Sequence, residues 1–273
     1  MLVKHNPKLR DPLDEYTFKI VSSGDALCGN EWHAREISPP YTRLYYMLEG
    51  EGEIKSAEGV TLIKEGNLYI IPAGYSFSYS CANKMRQLYF HINLISSGGY
   101  DLIRGVNKIL SLKVEPSYMK NLCDLYFSEE KIHHTLLKSL LQKDLFSAFD
   151  ASGISFGVSE PSDTIKYALR YIEEHLSMSL TISEISEKLF ISPDALSHRF
   201  KKEMGEPVGK YIDGLIFYRA EQLLAGSELP LSQISAELGF YDQFYFSHRF
   251  KEKFGIPPLK YRKIHKQTPK FSL

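Results

Sequence analysis

The last third of the chain repeats itself, and no other feature restricts its fold as strongly. Ile182-Ser183-Glu184-Ile185-Ser186-Glu187-Lys188-Leu189 is echoed by Leu231-Ser232-Gln233-Ile234-Ser235-Ala236-Glu237-Leu238, and Ser197-His198-Arg199-Phe200-Lys201 by Ser247-His248-Arg249-Phe250-Lys251. The first block recurs after 49 residues and the second after 50, so the copies differ by one residue in the turn between the blocks. Gly205, Pro207, Lys210 and Tyr211 return as Gly255, Pro257, Lys260 and Tyr261. A period of this length marks a duplicated supersecondary unit. Each copy reads as a short helix, a tight turn and a second helix. Ser192 before Pro193 supplies an N-cap followed by a first-turn proline, and Asp242 caps the second copy. Gly239 provides a permissive backbone at the second bend, whereas Phe190 at the first implies a slightly different turn. Two helix-turn-helix units are therefore expected at about 180–204 and 229–254, joined by a helix from about Val208 to Ala225.

In such a unit the second helix enters the major groove with its first turns facing base edges, and paired units must reach successive groove turns about 34–36 Å apart. Leu196 and Phe200, like Phe246 and Phe250, are four residues apart and face the core. That leaves Asp194, Ala195, Ser197 and His198 in one copy, and Gln243, Phe244, Tyr245, Ser247 and His248 in the other, as candidate base readers. Arg199, Lys201, Lys202, Arg249, Lys251 and Lys253 suit phosphates. Bulk charge adds little, since the chain is formally neutral, with 17 basic against 19 acidic residues up to Glu160 and 16 against 14 beyond it. A shallow salt dependence of DNA binding is expected.

From about 163 to 264 the chain resembles the DNA-binding domain of AraC/XylS transcription regulators, most specifically in Ile234-Ser235-Ala236-Glu237-Leu238-Gly239-Phe240 through Pro257-Pro258-Leu259-Lys260-Tyr261-Arg262. The resemblance implies base contacts at Asp194, Ser197 and His198, and at Gln243, Phe244 and His248. Asp194 and Phe244 depart from ordinary base readers. Asp194 either caps its helix or accepts from a cytosine amine, and Phe244 meets a thymine methyl or packs.

Residues from about 17 to 95 alternate apolar and polar positions in short runs between Gly, Pro and Asn, as in Arg43-Leu44-Tyr45-Tyr46-Met47-Leu48 and Arg86-Gln87-Leu88-Tyr89-Phe90-His91-Ile92-Asn93. An antiparallel barrel or sandwich follows. Leu48-Glu49-Gly50-Glu51-Gly52-Glu53 and Leu62 through Gly74 resemble the cupin-like sensor that precedes the DNA-binding domain in the sugar-responsive branch of the same family. A catalytic cupin holds a metal on histidines and a carboxylate. Here Arg43, Tyr45 and Glu49 stand where two histidines and the glutamate would be, with Phe77 near the last histidine, so neither metal nor other cofactor is expected. Tyrosines beside Arg and His donors suit a polyhydroxylated ligand. Trp32, His33, Arg35, Arg43, Tyr45, Glu49, Tyr69, Tyr75 and His91 are the candidate effector contacts. Alternation places Tyr89, His91 and Asn93 on one face and Phe90, Ile92 and Leu94 on the other, without saying which looks inward.

Between about 101 and 150 the period becomes helical, giving a hairpin that either dimerises or packs on its own barrel. A small, polar segment from Ala151 to Ser162 reads as a linker. The expected chain is thus an α+β protein of two domains, a cupin-like barrel with a helical hairpin over 1–157 and an all-α domain of two helix-turn-helix units over 158–273. It is expected to be a cytoplasmic homodimer and not an enzyme, binding double-stranded DNA and a sugar-like effector, with RNA polymerase a further partner and no membrane association. Cys28, Cys81 and Cys123 have no paired spacing and read as buried apolar residues. Two alternatives stand beside this: a metal-dependent cupin enzyme fused to a DNA-binding domain, and a constitutive regulator whose barrel only dimerises.

Overall fold

A computed structural model describes residues 16–96, 99–154 and 161–266. The expected domain boundary at 157/158 lies outside the described residues. Eight strands build the first part: β1 (Tyr16–Cys28), β2 (His33–Ile37), β3 (Thr42–Ser56), β4 (Gly59–Lys64), β5 (Asn67–Ile71), β6 (Phe77–Ser80), β7 (Met85–Ser96) and β8 (Leu110–Lys113). The 15-residue β3 ties them together, pairing with β5 and β7 along its first half and with β4 and β6 along its second. All pairings are antiparallel.

The long strands bury both faces, and alternation separates what each face touches. Leu44 and Tyr46 of β3 with Leu88, Phe90, Ile92 and Leu94 of β7 pack beneath α1 (Pro116–Phe127) and α2 (Lys131–Ser152). The opposite face, carrying Tyr45 and Met47 with Tyr89 beside them, closes a second core with Ile54, Ile63, Ile71 and Phe77. The inward face of β7 is therefore the one with Tyr89 and His91.

β8 corrects the helical reading of the segment from 101 on. Leu110 and Leu112 alternate against Leu68 and Ile70 at the sheet edge, and a four-residue strand is too short for its period to stand out beside 34 helical residues. The stripe of α2 lies on its own sheet through Leu137, Leu141, Leu145 and Phe149. Ile132 and Leu136 remain exposed near its start, beside exposed Phe127.

Asp144 is the one acidic group in that stripe. It accepts from the Tyr46 phenol at 2.7 Å and the Tyr118 phenol at 3.0 Å, and burial pushes its carboxyl up despite these bonds and Lys143. The folded state thus holds its proton more tightly than the unfolded chain. Its contribution to stability should grow as pH falls through the raised value and level off below the unfolded pKa. Asp144→Asn should remove this component of the slope, which thermal melts across pH 4–8 would detect as two curves whose separation changes with pH; parallel curves would refute it.

The remainder is helical: α3 (Asp163–Glu174), α4 (Ile182–Lys188), α5 (Pro193–Met204), α6 (Val208–Gly226), α7 (Leu231–Glu237), α8 (Gln243–Phe254) and α9 (Pro258–Lys266). No helix of the described residues is long and apolar enough to cross a membrane.

Candidate nucleic-acid interface and effector site

The duplicated segments form α4–turn–α5 and α7–turn–α8, packed with α6 around one core. Ser192 accepts from the Ala195 amide, and Asp242 accepts from the amides of Phe244 and Tyr245, so both second helices start where their side-chain caps place them. Leu196, Phe200, Phe246 and Phe250 are fully buried. Their opposite faces carry Asp194, Ala195 and His198 on α5, and Phe244, Tyr245 and His248 on α8, all exposed. Ser197 and Gln243 are half-buried. Ser247, also half-buried, donates to the Gln243 carbonyl, which turns its hydroxyl toward its own helix.

The two turns are alike, contrary to the expectation from Phe190. Phe190 has φ 54° and Gly239 φ 73°, and each is followed by a residue whose amide returns to the preceding helix, Ile191 to Ser186 and Phe240 to Ser235. A phenylalanine thus occupies a left-handed position that favours glycine. Its ring is 95% exposed, so little packing is lost by removing it. Phe190→Gly should stabilise the protein by about 0.5–1 kcal/mol in urea unfolding, the left-handed strain relieved exceeding the extra chain entropy.

Arg199, Lys201, Lys202 and Lys251 are exposed, although Arg199 also donates to Thr164. Arg249 and Lys253 differ from the expectation. Both turn back onto α6, where Asp213 accepts from Arg249 at 2.8 Å and from Lys253 at 2.5 Å, and both lie over the Phe217 ring. A carboxylate 36 and 40 residues away, invisible to local spacing, takes these two cations. Local spacing also gave no sign that Tyr241, with its ring 95% exposed ahead of α8, would join Phe244, 76% exposed, at the tip of the second unit.

The inner face of the sheet brings other candidates together. Register sets Arg43 opposite His91 and places Tyr45 between Tyr69 and Tyr89. Arg43 is 6% exposed. It donates to the Tyr45 phenol at 2.8 Å and reaches that of Tyr41 at 3.5 Å, with its guanidinium carbon 5.2–5.5 Å from the Phe77, Tyr79 and Tyr41 rings. Trp32 meets Tyr79 and Tyr45, and His91 stacks on Tyr41. Tyr75 is buried in the same core, its hydroxyl donating to Ser56, and Tyr69 donates to the Leu62 carbonyl.

Three expected effector contacts lie elsewhere. His33 and Arg35 are exposed on the short strand β2, where an irregularity between Ala34 and Ile37 lets those two residues both turn inward instead. Glu49 is exposed and pairs with Arg86, because the register shift between Met47 and Glu49 rotates it off the inner face. Among the described residues, no three His, Cys, Asp or Glu side chains converge on a common point.

The Arg43 cluster opens onto the helical domain. Glu221 of α6 accepts from Tyr41 at 3.1 Å and from Tyr261 at 2.8 Å, and burial pushes its carboxyl up against the opposing pull of Tyr261, Arg43 and Tyr41. Arg104, stacked on Tyr211, pairs with Glu206 as a second bridge. Between the domains a cavity of about 20 Å³ is bordered by Tyr41, Arg43, Tyr218, Glu221 and Lys253. A larger one, about 460 Å³, lies beneath α1 and is lined by Met47, Glu65, Arg86, Met119 and Cys123.

Residues 185–264 match the helix-turn-helix domain family, from within α4 through most of α9. The chain thus carries an AraC-type helix-turn-helix domain, and the relatives it is similar to are transcription regulators of the AraC/XylS family. It is 22% identical over 231 residues to the Msm operon regulatory protein of Streptococcus mutans, an alignment that covers 81% of this chain and 83% of that protein. With the raffinose operon transcriptional regulatory protein RafR of Pediococcus pentosaceus it shares 26% identity over 239 residues, 81% of this chain and 84% of that one. The arabinose operon regulatory protein of Escherichia coli is 29% identical over 136 residues, 49% of this chain and 46% of its own. The fold of the chain is similar to that of ToxT from Vibrio cholerae, with a TM-score of 0.68 at 12% identity over 92% of this chain and 99% of that one.

Proposed function

We propose that this regulator binds operator DNA through the first turns of α5 and α8 and alters promoter output when a small polar metabolite of the sugar class reaches the Arg43 cluster. The carrying observation is the unbroken contact from that cluster to α6, Arg43 to Tyr41 to Glu221, since α6 carries both helix-turn-helix units. A ligand shifts such a chain only by binding one arrangement better than another. Relatives named for arabinose and raffinose operons, and a ToxT structure with an unsaturated fatty acid bound, support a small-molecule effector. Asp194, Ser197, His198, Gln243, Phe244 and His248 read bases, and Arg199, Lys201, Lys202 and Lys251 hold phosphates. The protein acts in the cytoplasm, as an activator in contact with RNA polymerase and without enzymatic activity, and dimerises through Ile132, Leu136 and Phe127 on the exposed side of the α1–α2 hairpin.

The cavity under α1 has the volume for a sugar, but its Arg86 is already engaged by Asp25 at 2.6 Å and by Glu49. The Arg43 cluster is therefore the preferred location. Gel-shift titration on the DNA upstream of the regulator's own gene, with and without a panel of mono- and disaccharides and sugar acids, tests the switch. Equal operator affinity under all conditions, with unchanged transcription, removes it. Sedimentation of full-length Ile132→Glu/Leu136→Glu should give monomers where the unmodified chain gives dimers.

A further inference from the structure

Arg43 poses a problem of charge that the fold leaves open. A guanidinium taken out of water normally finds a carboxylate, because an unpaired buried charge is costly. Among the described residues no ion pair reaches Arg43, and its Nε has no hydrogen-bond partner. Its neighbours are neutral phenols and ring faces. Cation–π contacts offset part of the desolvation but leave the remaining N–H groups and the charge unanswered. The nearest compensation is indirect: Glu221 of α6 takes the Tyr41 phenol, whose oxygen lies within reach of Arg43 Nη2.

We infer that Arg43 is the anchor for a carboxylate on the effector, a sugar acid rather than a neutral sugar, and that Glu221 is the chain's own competitor for it. The inference rests on the effector reading given above and names the chemistry of that site. Guanidinium and carboxylate match in a bidentate geometry that a hydroxyl does not reproduce. The rings of Tyr41, Tyr45 and His91 supply flat faces and polar tips for the rest of a polyol.

Size then couples binding to regulation. The cavity between Arg43 and Glu221 is about 20 Å³, room for a single water, whereas small-molecule sites run to roughly 300 Å³ and more. A sugar acid can reach Arg43 only if α6 withdraws. Two carboxylates then compete for one guanidinium, and Glu221 must either leave or take up a proton. The anion accordingly favours the arrangement in which α6 and both helix-turn-helix units are released from the sheet domain.

The test uses the full-length protein and thermal melts at constant ionic strength. Glu221→Ala removes the internal carboxylate, so acetate should raise its melting temperature saturably while acetamide does not. Arg43→Gln placed in that background should abolish the response. If that variant does not fold, Arg43→Lys should keep a response weakened roughly fivefold or more. Equal shifts with acetate and acetamide, or an undiminished acetate response in either Arg43 variant, overturn the anion site. D-gluconate and D-glucuronate should bind Glu221→Gln about tenfold more tightly than the unmodified protein, and D-glucose and D-glucitol neither. Equal affinity of the acids for both proteins overturns the competition with Glu221. Neutral sugars that bind and shift operator affinity while the acids do not would refute the carboxylate and leave the effector reading intact. Acids that bind at Arg43 without changing operator affinity would uphold the site and remove the switch.

Discussion

Phe250→Ala should lower the unfolding free energy by about 3–5 kcal/mol and abolish operator binding. Phe250 is fully buried, with ring centroids of Phe254 at 4.3 Å, Tyr261 at 5.3 Å, Phe246 at 5.8 Å and Phe217 at 6.3 Å. It therefore joins α8 to α6 and α9 at one point, and the lost ring cannot be replaced by collapse of a single neighbour. The tilt of α8 depends on this contact, and with it the approach of Gln243, Phe244 and His248 to DNA. Urea unfolding of the full chain gives the energy and a gel shift gives the binding. A loss below about 1 kcal/mol would mean that the cluster repacks freely, against the usual behaviour of large-to-small core changes.

The second large effect is expected at Gly239. An added Cβ there would sit 1.9 Å from the Ser177 hydroxyl and 3.1 Å from the Met178 amide nitrogen, at φ 73°. The left-handed backbone alone costs about 1–3 kcal/mol for a residue other than glycine. The contact adds to this because the Met178 amide donates to the Leu238 carbonyl at 2.8 Å, so the α3–α4 connection cannot retreat without giving up that bond. Gly239→Ala should thus destabilise by at least 1–3 kcal/mol and weaken operator binding by displacing the start of α8. Phe190→Ala, in the matching turn, should change stability by less than about 0.5 kcal/mol, since the backbone strain is already present there. A pair of variants with equal effects would show that the two turns have equivalent surroundings.

The contrast between these turns shows where local reading stops. Residue types at the bend suggested two different geometries, but both copies adopt the same left-handed turn. What differs is the neighbour: Ser177 and Met178 press on Gly239, and nothing comparable encloses the exposed Phe190. The same limit explains β8. Leu110 and Leu112 alternate over only four residues, and their pairing with β5 becomes visible once the sheet is assembled.

The helix-turn-helix units were determined by the sequence itself. Ser192 and Asp242 cap within three residues, and Leu196, Phe200, Phe246 and Phe250 follow helical spacing, so the information lies inside one or two turns of chain. The alternation of β3 and β7 was equally local, as was the absence of histidines at Arg43, Tyr45 and Phe77. Tertiary structure decided which sheet face looks inward, that His33, Arg35 and Glu49 stay outside, and that Asp213 takes Arg249 and Lys253. It also brought Tyr41 to Glu221 across 180 residues. Caps and periodicities are short-range properties of a chain, whereas a charge far along the sequence finds its partner only when the fold packs, and at that contact no carboxylate among the described residues pairs with Arg43.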